Sequence, residues 1–361
     1  MNAQTTLPVG KTLLGRVINS LGEPVDNKGP LTGAQRVAFE EYMVPDGAPE
    51  PAPRVRETGI KVVDLLSPLP LGGLVELVGG NGVGKLVVAE EIMYDVATRR
   101  NGYVVCLAME EGSYELSPLT DTIKEASLQD RTVMVFEPQN DSREVFQRTV
   151  RTGLTIASHF RDLGHEVLLL GYLNQSLQND LANLRELERI VRQRAITTLI
   201  FRDEEEPLHT VAQTPLAHLD ARIIMSRELA RQRLWPAIDR LTSTSRLFET
   251  GALSEQHKQV AQQVRQLLQR AQALQDARQL SAEEQQVVRR ARRIQQFFTQ
   301  PFFVAEPFTE LPGEYLTISE TVDSFDALLA GRYDNLPEQA FYFIGTLDQA
   351  IAKNKIMQNQ G

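Results

Sequence analysis

The residues of this chain best equipped for chemistry are Gly79-Gly80-Asn81-Gly82-Val83-Gly84-Lys85, closely spaced glycines ending in a lysine. Glycines let a backbone fold into a concave nest of N–H groups that an anion can approach closely. A helix beginning at that point adds partial positive charge, and Lys85 adds a full one. The apolar run Leu74–Val78 ahead of the turn has strand character, and Val87, Val88, Ile92 and Val96 behind it recur at helical spacing. Strand, glycine turn and helix form the context of a phosphate-binding loop. The candidate phosphate ligands are therefore Gly80, Asn81, Gly82, Val83, Gly84, Lys85, Leu86 and Val87. One position departs from the pattern. A Ser or Thr hydroxyl is required after the lysine to ligate magnesium, and Leu86 has no oxygen. Anion binding and metal handling are thus separated within a single turn.

Such a loop needs a scaffold. Strand-like runs are expected near 74–79, 103–108, 132–136, 166–171, 196–201 and 221–225, with helical patterns near 86–99, 143–161, 176–194 and 226–233. Alternation of this kind predicts an α/β fold, a parallel sheet with helices on both faces, with the ligand at the carboxyl ends of the strands. Residues 1–45 hold turn signals and too little chain for a substantial domain, and residues 46–56 are Pro-rich and read as a linker. Beyond about residue 250 the strand signal stops. Val260, Val264, Leu267, Leu268, Ala271 and Leu274 line one face of a helix, a second helix runs from about Ala282 to Thr299, and segments 321–330 and 337–353 are also expected to be helical. Gln300-Pro301 ends the second helix, because proline cannot continue it.

Composition bounds the function. The chain has 361 residues with a formal charge of -9, which argues against general nucleic-acid binding and leaves protein partners open. No stretch reaches the roughly 18 apolar residues of a membrane span, and the first residues lack a signal-peptide layout. Cys106 is the only cysteine, so no internal disulfide is possible and a cytoplasmic setting is expected, with peripheral association to a membrane-bound complex left open. The histidines show no metal-ligand spacing. Arg289, Arg290, Arg292 and Arg293 form a basic run that reads as a solvated helix face, a partner patch being the alternative. Asp203–Glu206 is an acidic run expected on the surface, where it would repel a nucleotide somewhat.

Beyond the loop, several motifs occur in one order: Glu57-Thr58-Gly59-Ile60-Lys61-Val62-Val63-Asp64-Leu65-Leu66, Ala217-His218-Leu219-Asp220-Ala221, Ser243-Thr244-Ser245-Arg246, Arg290-Ala291-Arg292-Arg293-Ile294-Gln295 and Leu336-Pro337-Glu338-Gln339-Ala340-Phe341-Tyr342. Together they resemble the beta subunit of rotary F-type ATP synthases, over nearly the whole chain from about Val9 to Ile351. The resemblance implies a RecA-like phosphate-loop fold followed by a helical domain, with the family's N-terminal beta-barrel largely missing. It divides the chain into residues 1–50 (barrel remnant and linker), 51–249 (nucleotide-binding domain) and 250–361 (helical domain).

That family's chemistry uses a loop lysine, a hydroxyl on magnesium, a carboxylate orienting the attacking water, a strand-end Asp supporting the metal, and arginines on the transferring phosphate. By the resemblance, Lys85 is retained and the water-orienting carboxylate falls at Glu111, vestigial here, with Glu110 leaving the register uncertain by one. The arginine that follows is Gly112, the strand-end Asp is Tyr172, the next arginine is Ser176 and the hydroxyl is Leu86. Magnesium would enter only weakly, on the nucleotide's own phosphates. The adenine pocket implied by the resemblance is kept: Trp235 before Pro236-Ala237, then Phe302, Ala305 and Phe308 after Gln300-Pro301. Segment 173–195 is shorter than its family counterpart, and Gln279–Gln285 carries less charge than the family's shaft-facing loop.

The expected function is an ATP- or ADP-binding subunit of a protein complex that hydrolyses poorly. An alpha-type chain or self-association would supply the partner. A working hydrolase completed by a neighbouring chain is one alternative, and a scaffold that has lost nucleotide binding is another.

Overall fold

A computed structural model describes residues 6–38, 52–109, 123–124, 127–137, 143–173, 196–202, 219–275, 277 and 279–360. The helix expected over 176–194, Glu110, Glu111, Gly112, Ser176, the acidic run 203–206 and the Ala217-His218 half of its motif lie outside the described residues.

The strands are β1 (Thr6–Val9), β2 (Val17–Ile18), β3 (Gln35–Ala38), β4 (Val55–Arg56), β5 (Leu69–Pro70), β6 (Leu74–Val78), β7 (Tyr103–Met109), β8 (Thr132–Phe136), β9 (Val167–Leu173), β10 (Thr197–Arg202), β11 (Ala221–Ile224) and β12 (Thr244–Ser245). Eight of them form one mostly parallel sheet in the order β12-β11-β6-β10-β9-β7-β8-β2, in a RecA-like arrangement, with β12 antiparallel on β11. The central strands were legible as largely apolar runs because a parallel sheet is covered on both faces. Leu74–Val78 and Thr132–Phe136 are buried at every position.

Two compact units interleave along the chain: Met1–Pro53 with Pro70–Val78 and Ala89–Asp220, and Arg54–Leu69 with Gly79–Val88 and Ala221–Gly361. In the first, helix α3 (Arg143–Asp162) lays Phe146, Val150, Leu154, Ala157 and Phe160 into a core shared with Val105, Leu107, Val133, Val135 and Leu169. Its apolar residues recur at three- and four-residue intervals, as a helix covering a sheet requires. Phe160 stacks on Tyr103 with ring centroids 4.2 Å apart. Gly153 allows the close approach, since a Cβ there would stand 2.3 Å from Leu107 Cδ2. The N-terminal segment joins this core: Val9, Leu13 and Ile18 are buried in it, β2 pairs with β8, and Thr152 Oγ1 donates to the Ser20 carbonyl at 2.7 Å.

The second unit contains α1 (Lys61–Leu66), the first turn of α2 (Lys85–Tyr94), α4 (Arg227–Arg231), α5 (Glu255–Ala273), α6 (Ala282–Phe297), α7 (Glu306–Thr309), α8 (Ile318–Leu329) and α9 (Leu347–Gln360). Serine or threonine side chains fix where its main helices begin. Ser254 caps α5, Ser281 with Glu284 makes a capping box on α6, and Thr317 with Glu320 makes one on α8. The last cap explains why α8 starts at Ile318, earlier than the periodicity suggested. The helix expected over 337–353 is corrected. A short 3-10 turn at Glu338–Phe341 is followed by a left-handed Phe343 (φ 50°), and the helix begins only at Leu347. The Ile344 carbonyl is taken by the Lys61 ammonium at 2.6 Å, outside any helical ladder.

A Gly153→Val substitution should force α3 away from β7. Overpacking of this kind costs typically about 1–3 kcal/mol, read as a lowered urea midpoint with an unchanged slope. No change in midpoint would show that the contact is slack.

Candidate functional site

The loop leaves β6 at Val78 and enters α2 at Lys85. Gly82 (φ 75°) and Gly84 (φ 86°) both lie in the left-handed region, which lets the chain curl into a nest. The base of the loop is tightly seated, since a Cβ on Gly79 would come 2.7 Å from Met225 Cβ, and the Val83 side chain is buried. The tip is open: Asn81 and Gly82 are exposed, and a Cβ on Gly82 would meet nothing within 4 Å. Lys85 is nearly buried, and its ammonium donates to the Gly79 carbonyl, so the cation is stored against the loop's own backbone. Gly80 is buried, Gly84 and Leu86 are half-buried and Val87 is exposed. These features fit an anion: an exposed tip, two left-handed glycines, a helix start and an adjacent ammonium. They do not fit a protein-held magnesium ion at Leu86. Among the described residues no group of three or more His, Cys, Asp and Glu side chains could hold a metal.

The aromatic side of the candidate site is built from the same unit. Trp235 packs on the loop, its Cζ3 atom 3.0 Å from where a Gly84 Cβ would stand. Its carbonyl accepts the Gln300 N–H at 3.1 Å, which sets the turn carrying Pro301-Phe302 beside it. Gln300 is the hub of this region. Its Oε1 accepts the Lys61 N–H at 2.9 Å, and its Nε2 donates to the carbonyls of Gly59 at 2.7 Å and Glu314 at 2.6 Å. Phe302 is enclosed at 5% exposure, Ala305 is half-buried in a 3-10 turn, and Phe308 stands in solvent at 74% exposure. The fold thus brings Trp235 to the phosphate loop and ties Phe302 to it through the main chain. Phe308 is left outward.

The lead-in motif is bound to itself and to the turn at Gln300. Asp64 is fully buried and accepts Thr58 N–H at 2.9 Å, Thr58 Oγ1 at 2.8 Å and Gly59 N–H at 2.8 Å. Burial pushes its carboxyl up to about 7, against the pull of those donors. Lys61, also buried, donates to the Thr299 carbonyl at 3.2 Å and lies 4.0 Å from the Phe297 ring centroid, and burial holds its pKa well below the usual lysine range. His257 is bonded through Nε2 to the Leu65 carbonyl at 3.0 Å, so it serves the end of α1. Asp220, from the other unit, brackets β6 by accepting the Leu74 N–H at 2.9 Å.

Tyr172 lies in β9 opposite Ala108 of β7, at the carboxyl edge of the sheet. The basic run is divided: Arg289 and Arg292 are exposed, as a solvated face requires, while Arg290 and Arg293 turn to partners in the fold. Arg290 pairs with Asp334, Arg293 donates to the carbonyls of Leu336 at 2.8 Å and Asp334 at 2.6 Å, and Arg292 lies 3.9 Å from Glu338. Sequence reasoning missed Arg227, whose Nη2 donates to the Asn81 carbonyl at 3.3 Å. The available signal was its place just past β11, at the strand end where this class of sheet gathers ligand-binding groups.

Residues 59–186 match a protein family described as ATP synthase alpha/beta family, nucleotide-binding domain. The match contains the lead-in motif from Gly59 onward, the glycine loop with Lys85, and β7 to β9, and it supports a nucleotide-binding role. Trp235, Phe302, Ala305 and Phe308 lie beyond it. Among the described residues no helix is long and apolar enough to cross a membrane.

The raised Asp64 pKa has a defined sign. The folded state holds the proton more tightly than the unfolded chain, so its contribution is complete below the ordinary aspartate pKa and is lost as pH rises towards about 7. The stability of the wild type relative to Asp64→Asn should therefore fall between pH 4 and pH 8. Parallel thermal-melting profiles for the two proteins over that range would contradict it.

Proposed function

We propose that this chain binds ATP or ADP through the phosphate ligands Gly80–Val87, turns it over poorly or not at all, and serves as a structural or regulatory subunit of a protein complex. The carrying observation is the split within the loop. Gly82, Gly84 and Lys85 retain an anion cradle, while Leu86 stands where a metal-ligating hydroxyl belongs. In this reading Lys85 transfers its ammonium from the Gly79 carbonyl to the phosphate oxygens, and the loop N–H groups take the remaining charge. Trp235, already against Gly84, provides a face for the adenine, with Phe302, Ala305 and Phe308 completing the pocket when the turn after Gln300 adjusts. Base stacking on an aromatic is worth about 1–3 kcal/mol per base and needs no metal.

Weak turnover follows from charge. Phosphoryl transfer depends on cations placed on the transferring group, and one arginine in that role is worth on the order of 10³ in rate. Gly112 and Ser176 stand where the resemblance expects arginines, and Tyr172 where it expects the metal-supporting Asp. Members of the matched family are subunits of oligomers, which supports a protein partner, either an alpha-type chain or a second copy. A cytoplasmic location, with at most peripheral association to a membrane-bound complex, fits this role.

Titration calorimetry with ADP and ATP, with magnesium and with EDTA, separates the possibilities. Binding that changes less than about threefold on adding EDTA, and weakens more than about tenfold in Lys85→Ala, is the expected result. Trp235 is the only tryptophan, so its emission should report the same event. Phosphate release above background, abolished by Lys85→Ala, would instead establish a working hydrolase. Installing Leu86→Thr with Tyr172→Asp should make the affinity depend on magnesium.

A further inference from the structure

Arg227 opens α4 directly after Ser226, and its backbone is held firmly. The Ser226 N–H donates to the Ala237 carbonyl at 2.7 Å, and its side chain caps the helix through the Leu229 N–H at 3.3 Å. From this base the exposed guanidinium reaches over to the loop tip and donates to the Asn81 carbonyl at 3.3 Å. It therefore stands at the end of the loop opposite Lys85, whose ammonium lies buried at the loop's base on Gly79. The nearest acidic neighbour on its own helix, Glu228, is directed along the helix, accepting from Gln232 at 2.8 Å and lying 4.0 Å from Arg231.

A nucleoside di- or triphosphate brings several negative charges into this nest. Leu86 offers no hydroxyl after the lysine to hold a divalent cation that would offset them. A guanidinium has fixed donors matched to phosphate oxygens and stays charged at any physiological pH. A single long bond from an exposed side chain to a neutral carbonyl is readily exchanged for a charge-assisted one to phosphate. We propose that Arg227 is a direct ligand of the phosphate tail, supplying at the loop tip the positive charge that a divalent cation would otherwise bring, so that the site holds polyphosphate without needing a metal ion. This inference rests on the nucleotide reading above.

The test is calorimetric titration of the full chain in EDTA with ADP, pyrophosphate and adenosine, for the wild type, Arg227→Ala, Arg227→Lys and Lys85→Ala. Arg227→Ala should weaken ADP and pyrophosphate at least about tenfold, leave adenosine within about twofold, and flatten the salt dependence of ADP binding; Arg227→Lys should recover part of the loss. Equal weakening of adenosine and ADP would mean that Arg227 only shapes the loop, and overturns the proposal. So does ADP affinity unchanged in Arg227→Ala but lost in Lys85→Ala, which leaves the nucleotide reading standing. If the wild type binds none of the three ligands, the nucleotide reading itself fails, and this inference with it.

Discussion

A single buried amide side chain organises the ground on which the candidate site stands. Gln300 satisfies the Lys61 N–H and the carbonyls of Gly59 and Glu314, while its own N–H holds the Trp235 carbonyl. Each buried polar group left without a partner costs about 1–3 kcal/mol, and four would be stranded together if this side chain and its turn moved. The neighbouring Lys61 adds a second constraint, since its ammonium has no access to water and is satisfied by the carbonyls of Thr299 and Ile344. These bonds join chain segments far apart in sequence: the lead-in to the loop, the tryptophan that touches it, and the turn that carries Phe302.

Within that frame the loop is divided in purpose. Anion recognition uses backbone N–H groups and therefore demands only conformation, which Gly82 and Gly84 provide by adopting positive φ. Metal recognition demands a side-chain oxygen at a fixed place, and Leu86 has none. The two kinds of recognition therefore place different demands on the same turn. The same asymmetry gives the exposed loop tip its interest, because a cation there acts on bound anion whether or not it assists any chemistry. Arg227 reaches that tip from a separate helix anchored by Ser226.

The parallel strands and the glycine turn were readable in advance because their physics is local: double-faced burial writes largely apolar runs, and a nest writes glycines. Helix starts at Ala282 and Ile318 carry Ser or Thr caps with Glu three residues into the helix, also a local signal. The failure over 337–353 came from a distant residue, since Lys61 draws off the Ile344 carbonyl where a continuous helix would have used it. The arginines at 290 and 293 read as a solvated face, and in the fold they are tied to Asp334 and Leu336, more than forty positions away. A charge run looks the same in sequence whether its partners are water or a folded-back loop.

Sequence alone determined that the chain carries an anion-binding turn between a strand and a helix, and that the hydroxyl expected after its lysine is absent. Both are properties of neighbouring residues and their backbone preferences. Only the tertiary structure decided which distant groups meet that turn. It set Trp235 against Gly84, left Phe308 in solvent, buried Phe302 and brought Arg227 to the carbonyl of Asn81. Such meetings depend on the packing of elements separated by long stretches of chain, and no local preference encodes them.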